Sequence, residues 1–237
     1  MQSVGVIVAM PQEAADILGD ARFGWAAAGK DSWTSSRFPL RLEISGVGKV
    51  FAARACAALT LSCDLVVSLG TSGGLGTEAI GSLWIAREFV EHDMEASGLW
   101  YEPGVTPFAG MSGPVISSLS DEGFSRAVAA SAAAGLEVAE CRATSGDVFI
   151  ADPLRARMLA ERTGARICDM ESAAEAKLCA YRGRQGEDSF APIEFFAFRS
   201  VSDNADHQAG RAWSEQVTFA ARDFDAFLYS FVSAPSP

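Results

Sequence analysis

The sequence predicts an α/β fold: a single domain over residues 1–237, built as a three-layer α/β/α sandwich around a mostly parallel, twisted central sheet. Three observations carry this expectation. Short apolar runs rich in Val, Ile, Leu and Phe alternate with longer helical patterns, as strands do when helical crossovers join them. A chain of 237 residues with 49% hydrophobic residues can bury a full core. No internal repeat or interdomain linker interrupts the alternation.

Taken in order, Val4 to Val8 reads as a buried strand and Pro11 to Leu18 as the helix behind it, with Pro in the first turn where its missing N–H costs nothing. Leu40 to Ile44 is the next strand. The turn SGVGKVF, Ser45 to Phe51, leads into a helix over Val50 to Leu61. A strand at Leu65 to Leu69 is followed by the glycine-bearing turn SLGTSGGLG, Ser68 to Gly76, and by a strand at Leu83 to Val90. Gly98 to Pro114 reads as a loop, and Asp121 to Ala134 and Asp152 to Arg162 as helices. The second is entered through SGDVFIADP, Ser145 to Pro153, where Asp147 or Asp152 is placed to cap. A strand at Ala165 to Cys168, a helix at Glu171 to Tyr181 and a polar loop at 182–192 follow. The last strand, Glu194 to Phe198, passes into Arg199, Ser200, Ser202, Asp203 and Asp206, which read as an Asp-rich turn. Ala212 to Phe231 is the final helix.

Composition excludes several function classes. A net charge of −11 argues against a nucleic acid or an anionic membrane as partner, since either needs a basic face. A small neutral or zwitterionic ligand remains permitted. The N-terminal MQSVGVIVAM has neither a basic region nor a cleavage signal, and no apolar run reaches the ~18 residues of a membrane span, so a cytoplasmic protein is expected. The cysteines at 56, 63, 141, 168 and 179 form no CxxC pair and are expected as buried reduced thiols. His92 and His207 lack metal-ligand spacing, so no metal is expected. SGVGKVF holds Phe51 where a dinucleotide fingerprint needs its third glycine, and SLGTSGGLG lacks the GK[ST] of a P-loop. No cofactor is therefore expected, although the second turn suits backbone N–H groups and the Thr71 and Ser72 hydroxyls to a polar ligand.

The carboxylates carry the candidate chemistry. Glu13, Glu171 and Asp203 each lie just beyond a predicted parallel strand, and open α/β sheets bind ligands outside the carboxyl ends of their strands. Each also has a plainer explanation, since acids at helix starts are favoured by the macrodipole and Asp is a good cap. Joint placement favours the functional reading: three convergent acids with Arg199 suit cleavage of a glycosidic bond.

VGVIVAMPQEA, SGVGKV, GTSGGL, SGDVFI, DMESAA and RSVSDNAD occur in an order that resembles the nucleoside phosphorylase superfamily, and most closely the 5′-methylthioadenosine/S-adenosylhomocysteine nucleosidases. The likeness spans roughly residues 3 to 232 and is weakest from 98 to 140 and in the 182–192 loop. It implies hydrolysis of the N-glycosidic bond of a small nucleoside. On that resemblance Asp203 protonates the purine, Ser202 orients its carboxyl group at the purine end, and Glu13 activates the attacking water with Arg199 and Thr71 nearby. Glu171 and Met170 hold the ribose, Phe149 stacks on the purine and the Ile150 backbone reads its edge. Val47 and Trp213 line the pocket for the 5′ substituent. Asp169 stands where many nucleosidases have Glu, and Thr71 replaces a common Ser; both keep the chemical group.

The family also implies a homodimer, with the loop His92 to Tyr101 of a second subunit completing the 5′ pocket, and a role in methionine salvage. The nearest alternative is phosphorolysis, which calls for an Arg cluster or an anion nest; AMPQEA carries acid instead, so water is the expected nucleophile. Hydrolysis of a related nucleoside such as futalosine turns on the 5′ pocket alone. A binding module that has lost catalysis would keep Phe149, Met170 and Glu171 while losing Asp203 or Glu13, and both acids are present.

Overall fold

The computed structural model describes residues 2–181 and 192–234, so the loop expected at 182–192 lies, but for Pro192, outside the described residues. The elements are β1 (Val4–Val8), α1 (Ala15–Gly19), β2 (Trp25–Ala27), β3 (Ser32–Ser35), β4 (Leu40–Ile44), α2 (Lys49–Leu59), β5 (Leu65–Gly74) and β6 (Leu83–Glu91). They continue with β7 (Val115–Ile116), α3 (Asp121–Ala133), β8 (Val138–Ser145), α4 (Pro153–Thr163), β9 (Ile167–Asp169), α5 (Ser172–Tyr181), β10 (Glu194–Asp203) and α6 (Ala209–Ser233).

The centre of the sheet is parallel, as the apolar runs imply. β1 lies between β4 and β5, with Val6 opposite Leu42 on one side and Val67 on the other. β10 continues the parallel order beyond β5, pairing Phe196 with Val67. Every residue of β1 is buried, which requires cover on both faces. Alternation along β10 shows how that cover is divided. Phe196 and Phe198 pack with Phe224, Phe227 and Phe231 of α6, while Phe195 and Ala197 pack with Ala173, Ala176 and Cys179 of α5 and Cys56 of α2. All five cysteines are buried and free.

The sheet also closes on itself. From β10 it runs through β6, β8 and β9 back to β5, and β5 pairs β10 directly. The ring needs a long β5, whose first half pairs β1 and whose last residues, Gly73 and Gly74, pair β9.

Two expected turns are strand instead. The glycine-bearing segment after Leu69 stays extended to Gly74, and the polar run after Phe198 stays extended to Asp203. They pair with each other from Arg199 opposite Gly70 to Asp203 opposite Gly73, so turn-forming residues are held straight by the ladder they share. Glycine serves this approach: a Cβ at Gly73 would lie 3.1 Å from Asp203 Oδ1 and 3.3 Å from Cys168 Sγ. The register slips between Val201 and Asp203, a bulge that re-aims the following side chains.

Other boundaries moved less. α1 begins only at Ala15 and α6 already at Ala209. β2, β3, β7 and β8 were not expected. β8 reads VAECRATS, with little apolar signal, and is held by its parallel pairing to β6 and β9. No helix among the described residues is long and apolar enough to cross a membrane.

The stack of Phe198 on Phe227, with centroids 4.2 Å apart and planes 13° from parallel, fixes β10 against α6. Phe227→Ala is expected to lower unfolding stability by about 3–5 kcal/mol, read as a lower urea midpoint with an unchanged slope.

Candidate active site

The carboxyl ends of β1, β5 and β10 open with the end of β9 onto a cavity of about 260 Å³. That is close to the lower end of small-molecule sites, ~300–1,000 Å³, and suits one small ligand. Glu13, Val47, Thr71, Phe149, Ile150, Met170, Glu171, Arg199, Ser202, Asp203 and Trp213 all line it. Every residue to which the resemblance gave a role within one subunit's site thus reaches one place.

Glu13 lies in the turn between β1 and α1, ahead of the helix in which it was expected, and is 1% exposed. Its Oε1 accepts from the Thr71 backbone N–H and from Thr71 Oγ1, both at 2.8 Å. Trp213 Nε1 donates to the same hydroxyl at 3.1 Å, which directs the Thr71 proton to Glu13. Glu13 Oε2 is buried with no hydrogen-bond partner among the described residues. Burial raises the pKa of Glu13, opposed by the Thr71 hydrogen bonds and the charge of Arg199.

Arg199 is 2% exposed, and its donors are turned mainly toward protein. Nε binds Asp169 Oδ2 at 2.9 Å, Nη1 the Ser68 carbonyl at 2.8 Å and Nη2 the Ser68 hydroxyl at 2.9 Å. It flanks Glu13 across Gly70, where a Cβ would lie 3.4 Å from Glu13 Oε1 and 3.5 Å from Arg199 Nη1. Asp169 Oδ1 accepts from Ser145 Oγ at 2.6 Å and from the N–H groups of Glu171 and Ser172 at 3.1 and 3.0 Å, capping α5. Burial alone would raise the Asp169 pKa; the Arg199 charge and the serine hydrogen bonds outweigh it and hold the group low.

Glu171 follows β9 directly. Its Oε1 accepts from the Gly48 N–H at 2.8 Å and its Oε2 from the Met170 N–H at 3.1 Å. The glycine turn after β4 therefore serves a carboxylate, with Gly48 at φ +98°. Burial and then the charge of Asp169 push Glu171 up to about 8. Asp203 is 3% exposed. Its Oδ2 accepts from Ser202 Oγ at 2.8 Å and its Oδ1 from the Ala205 N–H at 2.9 Å. Burial raises its pKa against these two bonds.

The remaining wall is apolar. Ile150 is buried, whereas Phe149 and Val47 are 49% and 43% exposed at the mouth. Asp152, not Asp147, caps the helix that follows, accepting from the Arg155 N–H at 2.8 Å. Asp147 instead accepts from the Lys49 N–H at 2.9 Å, at the start of α2.

Sequence reasoning missed Ser68 and Glu175 and gave Asp169 no role. Ser68 is the lone polar residue within LVVSL, and Glu175 stands four residues beyond Glu171, on the same side of a helix. Those two signals were available. Glu175 is 1% exposed, neither of its oxygens has a hydrogen-bond partner among the described residues, and it too lines the cavity. Burial, eased by the charge of Arg199 and by the nearby Ser68 hydroxyl, pushes it up to about 7. Among the described residues no group of three or more His, Cys, Asp and Glu side chains could hold a metal ion.

A family model described as the Phosphorylase superfamily matches residues 3–234. The chain belongs to the phosphorylase superfamily. Within it, this member is 30% identical over 185 residues to a 5′-methylthioadenosine/S-adenosylhomocysteine nucleosidase of Shewanella halifaxensis, covering 74% of the chain and 73% of that protein. Its fold is similar to that of a 5′-methylthioadenosine/S-adenosylhomocysteine nucleosidase of Neisseria meningitidis in complex with methylthio-immucillin-A. The TM-score there is 0.85 at 25% identity, over 98% of this chain and 99% of that one. A futalosine hydrolase mutant of Helicobacter pylori shares the fold with a TM-score of 0.84 at 23% identity, over 98% and 99%.

Burial of the Glu175 carboxyl is expected to give this superfamily member a pH-dependent stability. A carboxyl at about 7 in the fold against an ordinary 4.5 costs nothing below pH 4.5, and its penalty is complete above about 7. Glu175→Gln is therefore expected to gain about 3 kcal/mol over wild type between pH 4.5 and pH 8.5. Urea unfolding at both pH values measures it, and a pH-independent difference would contradict it.

Proposed function

We propose that this chain is an N-glycosyl hydrolase that cleaves 5′-methylthioadenosine and/or S-adenosylhomocysteine to adenine and the 5-thioribose product. The observation that carries the reading is a division of labour between two buried carboxyl groups in one cavity. Asp203 is held in place by Ser202 and Ala205 with its pKa raised, and Glu13 keeps one oxygen free of partners among the described residues. The nucleosidase relatives support the substrate class.

In this mechanism Asp203 gives its proton to N7 of the purine as the bond from C1′ to N9 breaks, and the bonding pair leaves with a neutral base. Positive charge develops on the ribose. Water attacks C1′ and passes a proton to Glu13 Oε2, the oxygen that Thr71 leaves free. Leaving-group protonation and water activation are each worth ~10²–10⁴-fold. Glu171 accepts from the ribose hydroxyls while Met170 packs on the sugar. Phe149 stacks on the purine, the Ile150 backbone reads its edge, and Val47 and Trp213 receive the 5′ substituent. Water is the nucleophile because the described lining residues offer one Lys or Arg, Arg199, whose nitrogens already bind Asp169 and Ser68, and not the Arg cluster that a phosphate dianion calls for.

We further infer a cytoplasmic homodimer serving methionine salvage. The exposed apolar side chains at and near the cavity mouth, Val47, Val50, Phe51 and Phe149, support a second copy at the 5′ end. The loop from His92 to Tyr101, which carries the 95%-exposed Trp100, is the segment proposed to reach across.

Adenine release from 5′-methylthioadenosine, with and without phosphate and with sugars resolved by mass, tests the reaction. Free 5-methylthioribose in both conditions is expected. A sugar 1-phosphate formed only with phosphate would mean phosphorolysis, and no release would direct the assay to futalosine and then to a binding role. Asp203→Asn is expected to lose ~10²–10⁴-fold in kcat while retaining ligand binding. In wild type the rate falls at low pH as Glu13 takes up a proton and at high pH as Asp203 loses one; a profile flat from about pH 5 to 9 would contradict the assignment.

A further inference from the structure

The acid that this mechanism leaves idle is Glu175. It stands on α5 one turn beyond Glu171, lines the same cavity and is 1% exposed. Neither of its oxygens has a hydrogen-bond partner among the described residues. Taking a carboxyl group out of water without a partner is unfavourable, so its place is explained by what it meets inside the cavity. It faces Arg199 and the Ser68 hydroxyl. Three nitrogens of that guanidinium already bind Asp169 and Ser68. An N–H of Nη2 beyond these bonds is left for a ligand.

Water and phosphate differ in what they bring to such a place. Water can accept from Arg199 and donate to Glu175 at once. A phosphate dianion only accepts, so it has no proton for an ionised Glu175 and meets its charge at close range. Asp169 does not supply this repulsion, because its charge is matched by Arg199.

We propose that Glu175 is a specificity-determining residue for the nucleophile: its carboxylate, without a hydrogen-bond partner among the described residues and set beside the one guanidinium they bring to the cavity, admits water and turns phosphate away. The inference rests on the hydrolase reading above and deepens it.

The test compares wild type with Glu175→Gln at ~pH 8.5, above the value of about 7 for Glu175. Adenine release and sugar products from 5′-methylthioadenosine are followed as inorganic phosphate is raised, and phosphate binding is titrated by phosphorus NMR. Wild type should be indifferent to phosphate in rate and product. In Glu175→Gln, phosphate should compete with water, slowing hydrolysis or diverting product to the sugar 1-phosphate, with affinity at least about tenfold above wild type, because a like charge is removed and an amide donor supplied. Glu175→Asp should restore the indifference, which a purely structural role does not require. A Glu175→Gln enzyme that binds phosphate no better than wild type and keeps its phosphate response overturns the proposal, and the titration decides this even without turnover. Failure of the hydrolase reading shows separately, in a wild type that needs phosphate or releases no adenine.

Discussion

The buried ion pair of Arg199 with Asp169 is the constraint on which the site depends. Arg199 comes from β10, Asp169 from the end of β9 and Ser68 from β5, so one guanidinium ties three strands of the closed ring. Through Asp169 the tie extends to Ser145 of β8 and to the first turn of α5. A guanidinium cannot shed its charge when buried, so its partners must be in place whenever the chain is folded. That requirement sets where β9 ends and where α5 begins, and hence where Glu171 and Glu175 stand. It also sets the electrostatics, since the Arg199 charge opposes the burial-driven rise of Glu13, Glu171 and Glu175.

Backbone chemistry does the rest of the positioning. Two polar strand ends run side by side because glycines at 70, 73 and 74 give β10 room, and the bulge before Asp203 turns its carboxyl to where Ser202 and the Ala205 N–H can hold it. Gly48 supplies an N–H to Glu171 from a conformation at positive φ. The glycine-bearing turns of the sequence thus serve carboxylates, not phosphates. This fits the failure of each to match a dinucleotide or P-loop pattern.

Most of the sheet's centre was legible because it is apolar and uninterrupted: Val4–Val8 and Leu40–Ile44 were placed to the residue. The strand extensions were not, because Gly, Ser and Asp are turn formers by local propensity and only the β5 to β10 ladder keeps them straight. β8 stayed hidden because its residues face solvent at one end and ladder partners at the other. Within the site, acids at strand ends could be read from position. The Arg199 to Asp169 pair could not, because sequence shows residue types and not which carboxylate a guanidinium meets. Glu175 was legible in principle from its spacing to Glu171 but lay in a helix whose other buried residues, Ser172, Ala173, Ala176 and Cys179, are small and uncharged.

The balance of charge in the cavity explains what such a site is built to favour. Among the described residues five carboxyl groups, Glu13, Asp169, Glu171, Glu175 and Asp203, line it against one guanidinium. Asp169 takes that guanidinium, and burial presses the others toward their protonated forms. A resting site of this kind holds protons in reserve, which suits Asp203 as an acid. Breaking a glycosidic bond then places positive charge on the ribose, and carboxylates that were unfavourable in the empty cavity become favourable neighbours. The interaction is strongest where the charge is greatest, in the transition state, and weak toward the neutral nucleoside. An anionic nucleophile would meet the opposite field wherever these groups are ionised, which accords with the proposal that water captures the cation.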